Sequence, residues 1–300
     1  MALINRSAYP SLLRPGLADV FGDWNTYPAL WKDVYKVLRS EKAVEYSLEM
    51  QGLGLAELQA EGAPASQSYM QQGYTTSFVH QYYSTSFVIT RAAIVDNLYQ
   101  SQFPQQAVQF RNSLETLKNI NAMYIFNNAF NPNSTVSDGQ PLCSTAHPIS
   151  TGVLANTFTN GVGFTESAVE DAITIIRSWY NLAGLQINYR SIKTLVPQKQ
   201  AFNAARIFKS QYQTGTGNND INAIVHDQYM PGGYIVNQFI TNGNSWFILT
   251  DCDGFRYYLR ENLDIDFITD TLTNNVTVRA LERYSFNCQN WRAVFGSQGS

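Results

Sequence analysis

Residues 43–90 constrain this chain most. Tyr46, Leu48 and Met50 alternate with Ser47 and Glu49, and Tyr74, Thr76, Phe78, His80 and Tyr82 share a period of two. That period belongs to a strand, so the segment predicts a long hairpin. Its tip, Gly52 to Gly73, is rich in Gly, Ala, Ser and Gln and has too few large apolar side chains for a core of its own. A projection of this kind needs another surface to lie against. Residues 1–42 share the problem. Pro10, Pro15, Gly16, Gly22 and Pro28 break up any element, leaving a short amphipathic turn at Lys32 to Lys42 within what is otherwise an arm.

The rest of the 300 residues can bury a substantial core. A long helix is predicted over 91–130. Pro104 sits near its first turn, where a missing N–H costs little, and Phe110, Leu114, Leu117 and Tyr124 follow at helical spacing. A second helix spans 165–182, with Thr165 as N-cap, Val169, Ile173, Ile176 and Tyr180 as its apolar face, and Gly184 to end it. Pro197 opens a third, with Ala201, Ala205 and Phe208 inward. LQINY, KTLVP, INAIVH, YIVNQFI, SWFILTD and FRYYLR read as short strands, and the segment from Asn275 begins as a longer one. The order is mixed α+β and lacks the βαβ alternation of a doubly wound sheet.

Composition points to surfaces that meet other protein. Charged residues are 14%, and Asn plus Gln number 47 against 43 charged residues. Neutral amides enter contacts more cheaply than ions, which must first be desolvated. A net charge of −3 argues against a dedicated nucleic-acid binder. No secretory signal is visible, and no run approaches the roughly 18 apolar residues of a membrane span. Cys143, Cys252 and Cys288 lack a CxxC spacing and read as free thiols of a reducing compartment.

Catalytic signals are sparse. GxSxG, P-loop, HExxH and GxGxxG patterns are missing, and His80, His147 and His226 are scattered, so neither a metal nor a cofactor is predicted. Asp138, Ser144 and His147 lie together in DGQPLCSTAHP. A hydrolase reading makes Ser144 the nucleophile and His147 its base. The competing reading is a proline-stiffened loop whose side chains bond nearby backbone. Asp251, Asp253, Asp264, Asp266 and Asp270 offer a cation site or simply a solvated edge. The 40 aromatic residues allow a carbohydrate-binding module, although core packing is the commoner use of such rings.

The segment GQPLCSTAHP, holding Ser144, Thr145, Ala146, His147 and Pro148, resembles the "G-x-x-L-[FC]-S-T-A-H-P" stretch of tailed-bacteriophage major capsid proteins, including the Mu-like major head subunit group. The closing RYSFNCQNWRAVFGSQG, with Trp291, is similar to that family's "R-x-S-x-x-x-x-D-W-R-x-x-x-G-S" ending, with Asn290 standing in place of Asp. The resemblance runs from about residue 25 to the end. It implies an α+β Hong Kong 97-type capsid fold. The expected parts are an N-terminal arm (1–42), an extended hairpin or E-loop (43–90), a peripheral domain with a long spine helix (91–160 and 272–300) and an axial domain (161–271). It further implies pentamers and hexamers closing into an icosahedral shell around double-stranded DNA, with scaffolding, portal and decoration proteins as partners, no enzymatic activity and no membrane. The virion, assembled in the host cytoplasm, is the expected location. An encapsulin-type nanocompartment shares the fold and is the sibling alternative.

Charge suggests where copies could touch. Residues 43–90 carry Glu45, Glu49, Glu57 and Glu61 and no Lys or Arg, whereas 275–300 carry Arg279, Arg283 and Arg292 against Glu282. The long helix adds Arg111 and Lys118. Glu57 and Glu61 are therefore expected to meet these five cations on an adjacent subunit, at roughly 0.2–1 kcal/mol per surface pair. Some members of the fold weld their shells through an E-loop lysine. No lysine lies between Lys42 and Lys118, so no such crosslink is expected. Some relatives carry an N-terminal scaffolding region. Here the arm follows Met1 at once, and a separate scaffold is expected.

Overall fold

The computed structural model describes residues 28–300 except 51, 53, 54, 57, 63, 65, 66, 68–71, 96–98, 151 and 214–219, with backbone alone over 94–107. In chain order its elements are a 3-10 turn at Leu30–Asp33, β1 (Lys36–Arg39), β2 (Val44–Met50), β3 (Gln72–Val79), β4 (Gln81–Ile89), α1 (Arg91–Val95), α2 (Tyr99–Asn127), β5 (His147–Ile149), β6 (Gly152–Leu154), α3 (Glu166–Arg177), β7 (Ser191–Pro197), α4 (Ala201–Lys209), α5 (Ala223–His226), β8 (Tyr234–Asn237), β9 (Trp246–Thr250), β10 (Phe255–Thr269), β11 (Val276–Cys288) and β12 (Val294–Ser297).

One sheet, ordered β12-β9-β7-β8, is a wall between two cores. Successive side chains of a strand point to opposite faces. Trp246 and Ile248 thus enter one core while Phe247 and Leu249 enter the other. Val294 and Phe295 of β12 divide in the same way. Burial on both faces explains why these strands read as unbroken apolar runs. α3 packs Val169, Ile173 and Ile176 on one side of the wall, together with Ala204 and Ile207 of α4. Its start is fixed by Thr165, whose hydroxyl accepts the Ala168 N–H at 3.2 Å. On the other side stand Met123 and Phe126 of α2.

The second sheet is ordered β1-β10-β11-β4. α2 covers one of its faces, setting Phe110 and Leu114 against Val278 and Ala280. Farther along, Asn121 donates to the Tyr284 hydroxyl at 3.1 Å.

Several expectations change. Residues 28–42 belong to the body rather than to an arm. Trp31 and Tyr35 are buried, the Tyr35 hydroxyl donates to the Ala122 carbonyl at 2.6 Å, and β1 pairs in parallel with β10. The remainder of the expected arm, 1–27, lies outside the described residues. The expected boundaries after residues 90 and 271 divide the second sheet, placing β4 with the hairpin and β10 with the axial part. Backbone hydrogen bonds hold both strands to β11. Tyr124 is exposed, because Ala122, Met123 and Phe126 take the inward face of α2. Tyr180 lies beyond the end of α3, in a bridge with Gln186. Ala204 and Ile207 are the buried positions of α4; Ala201, Ala205 and Phe208 are only half-buried. INAIVH is helical where a strand was expected: Asn222 caps α5, its side-chain oxygen accepting from the N–H groups of Ile224 and Val225.

Candidate assembly site

β2 and β3 form the expected hairpin, with Val44 opposite Val79, Tyr46 opposite Ser77 and Ser47 opposite Thr76. The side facing the body is largely polar. The Ser47 hydroxyl accepts from Arg256 at 2.8 Å, and the Thr76 hydroxyl donates to the Gln289 carbonyl at 3.3 Å. The Glu49 carboxylate accepts from Arg292 at 3.1 Å and from Asn290 at 3.0 Å. Burial pushes the Glu49 carboxyl above its ordinary range, Arg292 pulls it back, and Asp138 adds to the rise. Phe78 is the apolar exception, packed edge-on against Tyr258. The hairpin's other side is open and sets a row of apolar side chains beside Thr75 and Ser77: Tyr46 is 71% exposed, Leu48 42%, Met50 62% and Val79 55%. Its amphipathicity is thus inverted, with the polar face anchored at home and the apolar face outward. Gly73 keeps the two strands close, since a Cβ there would lie 2.6 Å from the Glu49 carbonyl oxygen.

Depth divides the five cations. Arg111, Lys118 and Arg292 are buried in their own subunit, so they cannot face a neighbour as the charge pattern suggested. Lys118 reaches Glu282 at 2.9 Å and Glu115 at 3.2 Å. Arg283 lies over the Tyr82 ring and 3.5 Å from Glu261. Arg279, bonded to Asp266 at 2.6 Å, keeps 46% of its side chain exposed. Glu61 is exposed; Glu57 lies outside the described residues.

The Ser144–Pro148 segment is brought to Trp291 by a residue that sequence reasoning missed. Asn156 is fully buried, and its amide nitrogen donates to the carbonyls of Leu142, Trp291 and Val294. Its oxygen accepts the Ser144 N–H at 2.8 Å and sits 3.1 Å from His147 Nε2. The His147 ring stacks on Trp291 at 4.2 Å and bonds Asp138 at 2.6 Å through Nδ1. The pair expected of a hydrolase therefore forms, but His147 turns its other nitrogen to Asn156. The Ser144 hydroxyl donates instead to Gln140 and accepts from the Ala146 N–H. His147 is wholly buried, which denies a substrate access. Thr145 and Ala146 are exposed, and Pro148 pairs with Val153 in the small β5–β6 hairpin.

The acidic region disperses. Asp251 accepts the Arg190 N–H, Asp253 pairs with Lys36 and Arg256, and Asp270 caps its own turn. Among the described residues no group of three His, Cys, Asp or Glu could hold a metal ion. No helix among them is long and apolar enough to cross a membrane.

A family model described as "Phage capsid protein" matches residues 73–296, which include the hairpin's second strand, the long helix, the His147–Asn156 pin and the wall sheet. The chain belongs to the phage capsid protein family. No curated protein matches this capsid protein by sequence. Solved structures match its fold across nearly the whole chain. The virus-like particle from Pyrococcus furiosus has a TM-score of 0.54 at 12% identity, covering 96% of this chain and 99% of that one. The procapsid of bacteriophage JBD30 has a TM-score of 0.54 at 12% identity, covering 99% and 77%. Mycobacterium phage Cain gives 0.55 at 10% identity, covering 96% and 93%. The fold is the Hong Kong 97-type capsid fold, and the protein is a major capsid protein of the virion shell. The family match favours the phage head subunit over the encapsulin alternative.

Proposed function

We propose that this capsid protein closes into pentamers and hexamers of an icosahedral shell around double-stranded DNA, with the β2–β3 hairpin lying across a neighbouring copy. The observation that carries this is the inverted hairpin, whose apolar face is outward while its polar face is anchored at home. A sister subunit supplies the missing cover, because exposed apolar strands that stay uncovered invite unspecific pairing. The second sheet with α2 forms the peripheral domain, and the wall sheet with α3, α4 and α5 the axial domain. β4 and β10 go with the peripheral domain. Glu57 and Glu61 meet Arg279, whose side chain is more open than those of Lys118, Arg283 and Arg292, and charge reversal at both glutamates should reduce closed shells while sparing subunit folding. A separate scaffolding protein, a portal and decoration proteins complete the particle, and contact with DNA is weak and non-specific. Assembly takes place in the host cytoplasm. Negative-stain microscopy and sedimentation of the expressed chain, with and without a candidate scaffold, test this reading. Closed particles support it; a compact subunit that stays free under all conditions overturns it.

A further inference from the structure

Both ring nitrogens of His147 face oxygens that can only accept. Nδ1 faces the Asp138 carboxylate at 2.6 Å, and Nε2 faces Asn156 Oδ1 at 3.1 Å. The orientation of the Asn156 amide is not free to reverse. Its nitrogen is surrounded by three carbonyl oxygens and its oxygen already accepts the Ser144 N–H, so a flip would set oxygen against oxygen in each place. A neutral imidazole has one N–H and would leave one nitrogen's lone pair against an acceptor. The charge count agrees. Asp138 and Glu49 interact electrostatically, Arg292 bonds Glu49, and the Arg292 guanidinium lies 4.3 Å from the Trp291 ring on which His147 stacks. Two carboxylates and one guanidinium leave a buried negative charge unless His147 is positive. The other titratable groups in range of Asp138 are Tyr74 and Cys288, and burial holds both in their neutral forms.

We infer that His147 is held as an imidazolium, and that its charge completes a buried cluster of Asp138, His147, Arg292 and Glu49 that sets how firmly the hairpin base is fastened to the body. The cluster joins the 138–148 loop, the turn at Trp291 and the end of β2, so a proton placed on His147 is felt at Glu49. The inference concerns one subunit and stands whether or not copies close into shells as proposed. Taking the proton away leaves a repulsive contact at the ring and an unbalanced carboxylate, both of which weaken the Glu49 anchor.

Histidine-selective ¹⁵N labelling of the full chain tests the first half. There are three histidines, and the His147 signals are those lost in His147→Phe. Two protonated ring nitrogens near neutral pH are expected; one bare nitrogen overturns the inference. Hydrogen exchange tests the second half. His147→Phe keeps a ring on Trp291 but removes both donors and the charge. Amides of 44–50 and 72–79 should then exchange about tenfold faster, with the doubly buried β9 unchanged as the control. Hairpin exchange indifferent to this substitution overturns the inference. If His147→Phe does not fold, Asp138→Asn serves, with faster hairpin exchange expected and unchanged exchange as the overturning result.

Discussion

Replacing Tyr46, Leu48 and Met50 together by Ser should abolish closed shells without unfolding the subunit. Tyr46 and Met50 are mostly exposed and Leu48 is about half so, so the free subunit gives up only the covered part of each side chain. A shell contact loses a great deal. Full burial of a large apolar side chain is worth about 1.5–3 kcal/mol, and scaling by the exposed fractions gives roughly 3–5 kcal/mol per hairpin. This is an upper figure, since an interface also orders side chains and traps water. Even about 3 kcal/mol corresponds to roughly a hundredfold in each contact, and one shell repeats that contact in every subunit. Sedimentation velocity should show free subunits at concentrations where the unaltered chain assembles, with circular dichroism still that of a folded subunit. Closed shells at the same threshold concentration would refute the idea that this face is what neighbours cover.

Three other outcomes follow from the interior. Asn156→Leu should cost about 2–4 kcal/mol, because it strands three buried carbonyls, the Ser144 N–H and one nitrogen of His147; an unmoved urea midpoint would show the network to be dispensable. Burial raises the Glu282 carboxyl despite Lys118, so folding holds that proton more tightly than the unfolded chain does and this contribution falls as pH rises through the folded pKa. The stability deficit of Glu282→Gln should therefore be largest in acid and shrink toward neutrality in denaturation series at several pH values, and a deficit that grows with pH would contradict this. Gly296→Ala places a Cβ 2.6 Å from Cys143 Sγ and 2.8 Å from the Phe247 ring, so it should destabilise by about 1–3 kcal/mol, with part of the loss recovered by adding Cys143→Ala. Equal melting of the single and double variants would place the strain elsewhere.

The strands and main helices were legible because period and apolar density are local. WFIL is apolar throughout since both of its faces are buried, and Thr165 marks the start of α3 by its own side chain. What stayed hidden depends on distant partners. Trp31 and Tyr35 sit in a proline-broken stretch, and their burial is decided by Asn119 and Ala122 on a helix far along the chain. Arg292 shows its sign in the sequence but not its depth, which comes from Glu49 and the Tyr180 carbonyl closing over it. Asn156 belongs to no periodic pattern, and its five hydrogen-bonding partners come from two segments well apart in the chain. The motif residues on either side, His147 and Trp291, were the nearest available signal for it.

Trp291 and Phe295 complete one core while Ala293 and Val294 complete the other, so the strand ending at Ser297 acts as a keystone for both. Neither half can close until that stretch has been synthesised. A chain severed before that strand would lose the closure of both cores at once, and with it the body on which the hairpin is seated.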